Sequence, residues 1–214
     1  MSTRRVGAVA AAALIVGAAV YYVLVALHSP GPAALDTYGF FVPNVLHAVA
    51  SVRDGGRGLL WNPFQGCGQP FFANNVTGLL YPPHLLFLVF DVNTALHAVL
   101  IVNVVLGGIG MLLLAREYGL GWAAALTAAL AFELGDPMAQ LTAWSPIHGG
   151  PWTWVPWALL CCERLLRRPT RTGIVALAAV VAVATLPGFV LIVFLTYQVI
   201  VLRIAWEVVR RGHI

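Results

Sequence analysis

Leu60-Trp61-Asn62-Pro63-Phe64-Gln65-Gly66-Cys67-Gly68-Gln69-Pro70-Phe71-Phe72-Ala73-Asn74-Asn75 stands inside a segment, 28–93, that separates two long apolar runs. The segment closes on Leu80-Tyr81-Pro82-Pro83 and has no continuous helical or strand period. A connection this long is normally either functional or disordered. Trp61, Phe64, Phe71, Phe72 and Tyr81 give it more aromatic surface than a solvated chain carries, which predicts an ordered, outward-facing loop. The flanking sequence is then what holds that loop in place.

Sixty per cent hydrophobic residues, nine per cent charged and a mean hydropathy of +0.87 over 214 residues exceed what one water-soluble core hides. The fold class that follows is all-α, a polytopic transmembrane helical bundle of about six membrane segments. Upstream of the loop, 6–27 is uncharged and spans about 33 Å as a helix, enough to cross a bilayer. It ends in bulky residues rather than a small-residue cleavage site, so it reads as an uncleaved first span. Downstream the segments are 94–115, 120–134, 151–166, 173–186 and 188–206. The last two would measure about 51 Å as one helix, and Pro187-Gly188 supplies a turn between them.

Inside the loop, Phe41, Val45, Leu46, Val49 and Val52 recur at helical spacing and predict a short interfacial helix over 40–53, ended by Gly55-Gly56. A second short helix is expected over 84–90, and Asp91 to Thr94 offer caps for the next span. Gly107, Gly108 and Gly110 form a small-residue face for close helix approach. Trp152, Trp154 and Trp157 read as an aromatic belt where the fourth span enters the membrane.

Charge sets the orientation. The twelve basic side chains are all Arg and gather at the ends of apolar runs, a pattern of membrane topology and not of nucleic-acid binding. With the N-terminus cytoplasmic, only Arg53 and Arg57 lie outside, with Asp36, Asp54, Asp91, Glu133 and Asp136. No Asp, Glu or Arg falls at the centre of a predicted span and no internal repeat is visible, which weighs against a transporter. Cys67, Cys161 and Cys162 have no metal-ligand spacing.

Asp36 followed by Pro43, Arg53-Asp54-Gly55, Leu60-Trp61-Asn62-Pro63, Gly68-Gln69-Pro70, Ala73-Asn74 and Tyr81-Pro82-Pro83 together resemble the N-terminal region of the YfhO-like bacterial membrane proteins, grouped with the clan C (GT-C) glycosyltransferases. The likeness continues through His97, Gly108 to Leu114, Arg116, Gly119, Trp157 and Glu163-Arg164. It departs at Pro187-Gly188-Phe189-Val190 and at Glu133 to Asp136. Family members are several times longer, so the chain is expected to be an N-terminal module. The resemblance implies transfer of a sugar from a polyprenyl-phosphate carrier to a cell-envelope glycan or teichoic-acid-like acceptor. It also implies a place in the bacterial inner membrane, with loop 28–93 outside among membrane lipids.

Such transfer needs a base for the acceptor hydroxyl. Asp36, just past the first span, is the candidate; capping the interfacial helix is its plainer role. The departing phosphate needs a counter-charge. Asp36, Glu133 and Asp136 are candidates to hold Mg²⁺ or Mn²⁺, although a helix-ending loop explains the last two equally. Arg53 and Arg57 either hold the lipid phosphate or snorkel to headgroups. Trp61, Asn62, Gln69, Asn74 and Tyr81 either line a sugar pocket or lock the shape of the loop. His148 is either a second base or structural. Asn103 and Gln198 read as interhelical hydrogen-bond partners. A transporter or flippase, and a non-catalytic membrane accessory protein, are the competing functions.

Overall fold

The computed structural model describes residues 3–28, 36–135, 138 and 146–212. Helix α1 is Thr3–His28. A π-helical turn, Thr37–Phe41, leads into α2, Val42–Arg53. The hairpin strands β1, Trp61–Asn62, and β2, Gln69–Pro70, are followed by 3-10 turns and then by α3, Val92–Glu117. The chain continues as α4, Trp122–Leu134; α5, Pro146–Arg167; α6, Arg171–Thr185; and α7, Val190–Gly212. The protein is mostly helical, and each expected segment coincides with a helix.

Helix α3 is the axis. Asp91 caps it, accepting from the backbone N–H groups of Asn93 and Thr94 at 3.1 Å each. Its glycines admit three neighbours at close range: Gly107 meets Phe132, Gly108 meets Glu133 and Gly110 meets Trp157. Ala11 and Ile15 of α1 pack with Leu112 and Ala115 of α3 and with Ala125 and Ala129 of α4. On the other side Ala158 and Cys162 of α5 pack with Ile200 of α7, and Leu177, Val180 and Val181 of α6 lie against them.

The tryptophans of α5, expected as a belt where this span enters the membrane, are each engaged by a neighbouring element. Trp157 Nε1 donates to the Leu106 carbonyl at 2.8 Å, Trp154 Nε1 donates to the Tyr81 hydroxyl at 3.2 Å, and Trp152 stacks on Phe132. Pro151 and Pro156 stand inside the same helix. All three indoles therefore bind α5 to its neighbours.

One end of the bundle collects arginine. Glu163 of α5, nearly buried, receives Arg203 through Nε at 2.5 Å and Nη2 at 3.0 Å, and also the Tyr118 hydroxyl at 2.9 Å. Glu207 receives Arg203, Arg210 and Arg211. Glu117 pairs with Arg164 and Arg167. Arg116 lies over the Trp122 ring at 4.6 Å and donates to the Leu120 carbonyl, fixing the α3–α4 turn.

Two described helices, α3 and α7, have the length and apolarity to cross a membrane; Ala11–Tyr21, Trp122–Leu134 and Arg171–Thr185 are shorter apolar stretches. Within the most apolar window of α7 only 28% is buried, so Val201, Leu202, Trp206 and Val208 face outward. That face needs an apolar surrounding.

Candidate functional site

The end of the bundle opposite the arginines is closed by a cap made of 36–93. Phe41, Val45 and Phe87 of the cap pack on Ala95, Leu96 and Val99, the first turns of α3. Helix α2 starts with Pro43 in its first turn and stops where Gly55 and Gly56 take φ of +75° and +83°. In the hairpin Trp61 pairs with Pro70 and Asn62 with Gln69. Its turn runs through positive φ at Gly66, Cys67 and Gly68, and the Trp61 ring lies against Gly68, where no Cβ would fit. The second short element is a 3-10 helix over Pro82–Leu88 in place of the expected helix over 84–90, with Pro82 and Pro83 in its first turn, where their missing N–H groups cost nothing.

Tyr81 fastens the cap to the bundle. Its ring is fully buried, and its hydroxyl donates to Asn103 Oδ1 of α3 at 2.5 Å while accepting from Trp154 of α5. Burial pushes this hydroxyl above its ordinary value and keeps it a neutral donor. Asn103 thus joins cap to helix, and Thr153 Oγ1 lies 3.1 Å from the Asn103 carbonyl. Tyr81 is spent on anchoring and lines neither cavity of the cap described below.

Two other amides of the loop serve its backbone. Asn62 Oδ1 accepts from Phe64 N–H at 2.9 Å, and Asn74 Oδ1 accepts from Val76 N–H at 3.1 Å. Gln69 Nε2 donates to Gln65 at 2.5 Å. Trp61 keeps 52% of its surface exposed, and Arg53 and Arg57 are exposed beside α2. Asp36 is exposed and opens the π-helical turn without accepting a cap hydrogen bond, so its carboxylate is not committed to holding that turn.

Two cavities lie in the cap. One, of about 480 Å³, is bounded by Gly39, Pro43, His47, Asn62, Phe64 and Gln65. Pro43, Leu46, His47 and Ala50 stand at helical spacing and present one face of α2 to it; His47 was not among the residues singled out from the sequence, and this spacing is the signal that could have found it. His47 Nε2 lies 2.9 Å from the Gly58 carbonyl, and its ring meets Phe71 edge-on at 4.7 Å. Gly39 stands three residues after Asp36. The second cavity, of about 400 Å³ and largely apolar, separates the cap from α6 and α7, with Asn74, Leu80, Leu186, Phe194 and Tyr197 among its walls.

Glu133 is elsewhere. Its carboxyl group is fully buried against Gly108, within α3, and neither oxygen has a hydrogen-bond partner. The sequence placed it at a helix end among outer residues; the structure puts it inside the helical contact, because α4 lies along the glycine face of α3. Asp136 and the His148 side chain lie outside the described residues. Among the described residues no three His, Cys, Asp or Glu side chains gather, so Asp36 and Glu133 do not form a cation site with any third described ligand.

A Cβ at Gly108 would overlap Glu133 Oε1 and approach Cγ to 2.8 Å. Gly108→Ala is therefore expected to destabilise the α3–α4 contact by about 1–3 kcal/mol. Adding Glu133→Ala should restore most of the loss, a coupling read from thermal midpoints of the two single variants and the double variant.

His84 is a buried group to which no role was assigned from the sequence. Its Nδ1 lies 2.8 Å from the Gly78 carbonyl, and its ring contacts Phe41, Tyr81 and Phe87. Burial lowers it to about 4. Between there and the free value near 6.5 the unfolded chain binds the proton and the folded chain does not. Stability is thus full above pH 6.5 and falls as pH drops toward 4. A loss of roughly 2 kcal/mol is expected at pH 5 relative to pH 7. Denaturation midpoints in detergent check it, and His84→Phe should flatten the dependence.

Compared with protein families, curated proteins and solved structures, the chain matches none.

Proposed function

We propose that the chain is the N-terminal module of a membrane glycosyltransferase of the clan C type, resembling the YfhO-like proteins, with six membrane segments and its cap on the outer face. It moves a sugar from a polyprenyl-phosphate carrier to a cell-envelope acceptor. The observation that carries the reading is the state of Asp36: an exposed carboxylate, free of any capping hydrogen bond, three residues from the wall of a cavity of about 480 Å³. That volume lies within the range of small-molecule sites.

In this reading the acceptor hydroxyl attacks the anomeric carbon of the sugar. The bond from that carbon to the carrier phosphate breaks, and the phosphate leaves with the electron pair. Asp36 takes the acceptor proton. His47, Asn62 and Gln65 contact the sugar, and Arg53 and Arg57 offset the charge of the departing phosphate. The apolar cavity between cap and α7 receives the prenyl chain. Mg²⁺ or Mn²⁺ would reinforce phosphate departure if Asp136 joins Asp36.

The test is transfer of radiolabelled sugar from a prenyl-phosphate donor in membranes holding the full-length protein. Label passing from carrier to acceptor supports the reading; label crossing the membrane still attached to its carrier replaces it with a flippase. Glu133 is the observation that favours this second reading, since a buried carboxyl inside a helical bundle is common in coupled transport.

A further inference from the structure

At the arginine end, away from the cap, a cavity of about 530 Å³ lies between the last turn of α5 and the first turn of α6, with Glu117 of α3 on its rim. Three arginines line it, Arg164, Arg167 and Arg168, against the single carboxylate of Glu117. Glu117 takes Arg164 Nε at 3.0 Å and Arg167 Nη1 at 2.9 Å, so one acid is shared by two cations. Arg168 has no carboxylate partner among the described residues, nor has Arg171 at the start of α6. Thr170 Oγ1 accepts from Gly173 N–H at 3.0 Å, leaving the Arg171 and Thr172 N–H groups at the helix start to an anion.

A second cavity neighbours the first. It has a volume of about 350 Å³, runs between α6 and α7, and shares Leu165 with the arginine cavity. Its walls include Ile174, Ala178, Val181, Ile200 and Val201, and apart from Tyr197 every lining side chain is apolar. A cationic pocket for a phosphate thus opens beside a greasy groove along two helices. Free phosphate would use only the first; a phospholipid uses both.

We infer that this pair of cavities is a binding site for an anionic phospholipid, its phosphate among Arg164, Arg167, Arg168 and the start of α6 and an acyl chain in the α6–α7 groove. The inference rests on the membrane reading and is independent of sugar transfer. A lipid here would cover apolar side chains that α6 and α7 leave without protein neighbours. It would also neutralise the excess charge of the α5–α6 turn.

Native mass spectrometry of the full chain in detergent tests it, with phosphatidylglycerol, phosphatidylcholine or inorganic phosphate added. Phosphatidylglycerol should be retained about tenfold more than phosphatidylcholine. Arg168→Gln with Arg171→Gln should lower its retention about tenfold, and Ala178→Trp, which fills the groove, should lower it as well. Arg210→Gln, at the same end but paired with Glu207, should leave it unchanged. Equal retention of both lipids, loss with Arg210→Gln matching that of the double variant, or displacement by millimolar phosphate would overturn the assignment. Because the substituted arginines carry no ion pair, the double variant is expected to fold as wild type.

Discussion

Asp36→Asn is expected to lower the proposed sugar transfer in membranes holding the full-length protein by at least about 100-fold, the usual contribution of a positioned general base. Asn keeps the size of the side chain and loses only its capacity to take a proton. The native carboxylate is exposed and makes no capping hydrogen bond, so the substitution leaves the π-helical turn and α2 as they are. Insertion, measured by carbonate-resistant membrane content, should match wild type. Transfer that persists at wild-type rate would remove Asp36 from the base role while leaving the helical bundle untouched.

The largest effect on stability belongs to Gly188→Ala. Gly188 has φ of +102°, a region closed to residues with a Cβ, and it lies under the cap. An added Cβ would overlap the Asn75 carbonyl oxygen and come within 2.8 Å of Val76 Cα, both backbone atoms that no rotamer change can move. The α6–α7 turn would have to withdraw, breaking the bond from Asn75 Nδ2 to the Gly188 carbonyl at 3.2 Å. It would also loosen Pro187, which packs on Gly150 and Gly78. The expected cost is about 2–4 kcal/mol, seen as a lower thermal midpoint and faster proteolysis within the cap. Gly66→Ala is the control, because Gly66 has positive φ but open space around it; about 1 kcal/mol is expected there. Similar losses at the two sites would show that backbone conformation alone, without the cap contact, sets the cost.

The helices were legible because each apolar run is bounded by groups with a clear physical role. Asp91 caps α3 as its position suggested, Gly55 and Gly56 stop α2, and Pro187-Gly188 turns the chain between α6 and α7. The cap was legible as ordered because its aromatic residues needed burial. Which of them are buried was not: Tyr81 and Phe71 go inside, while Trp61 and Phe64 remain largely exposed. For Tyr81 that choice depends on Asn103 and Trp154, far along the chain, and no local pattern encodes it. The partners of the α5 tryptophans were not legible either, since an interfacial belt and a helix-packing seam use the same residue at the same spacing. Glu133 was misplaced in depth because a position along one helix does not give its height on the helix beside it. The ion pair of Glu163 with Arg203 joins α5 and α7 across forty residues and has no counterpart in local spacing, whereas the pairs of Glu207 follow the i,i+3 and i,i+4 spacing within α7.

The bond between Trp154 and the Tyr81 hydroxyl joins residues 73 apart, and that between Asn75 and Gly188 joins residues 113 apart. During synthesis the first of these partners waits until α5 has left the ribosome, and the second until the turn after α6 has done so. The cap is therefore sealed late relative to its own synthesis, only when segments 73 and 113 residues further along have been made. A chain stopped before α5 would carry the cap without either of these fastenings.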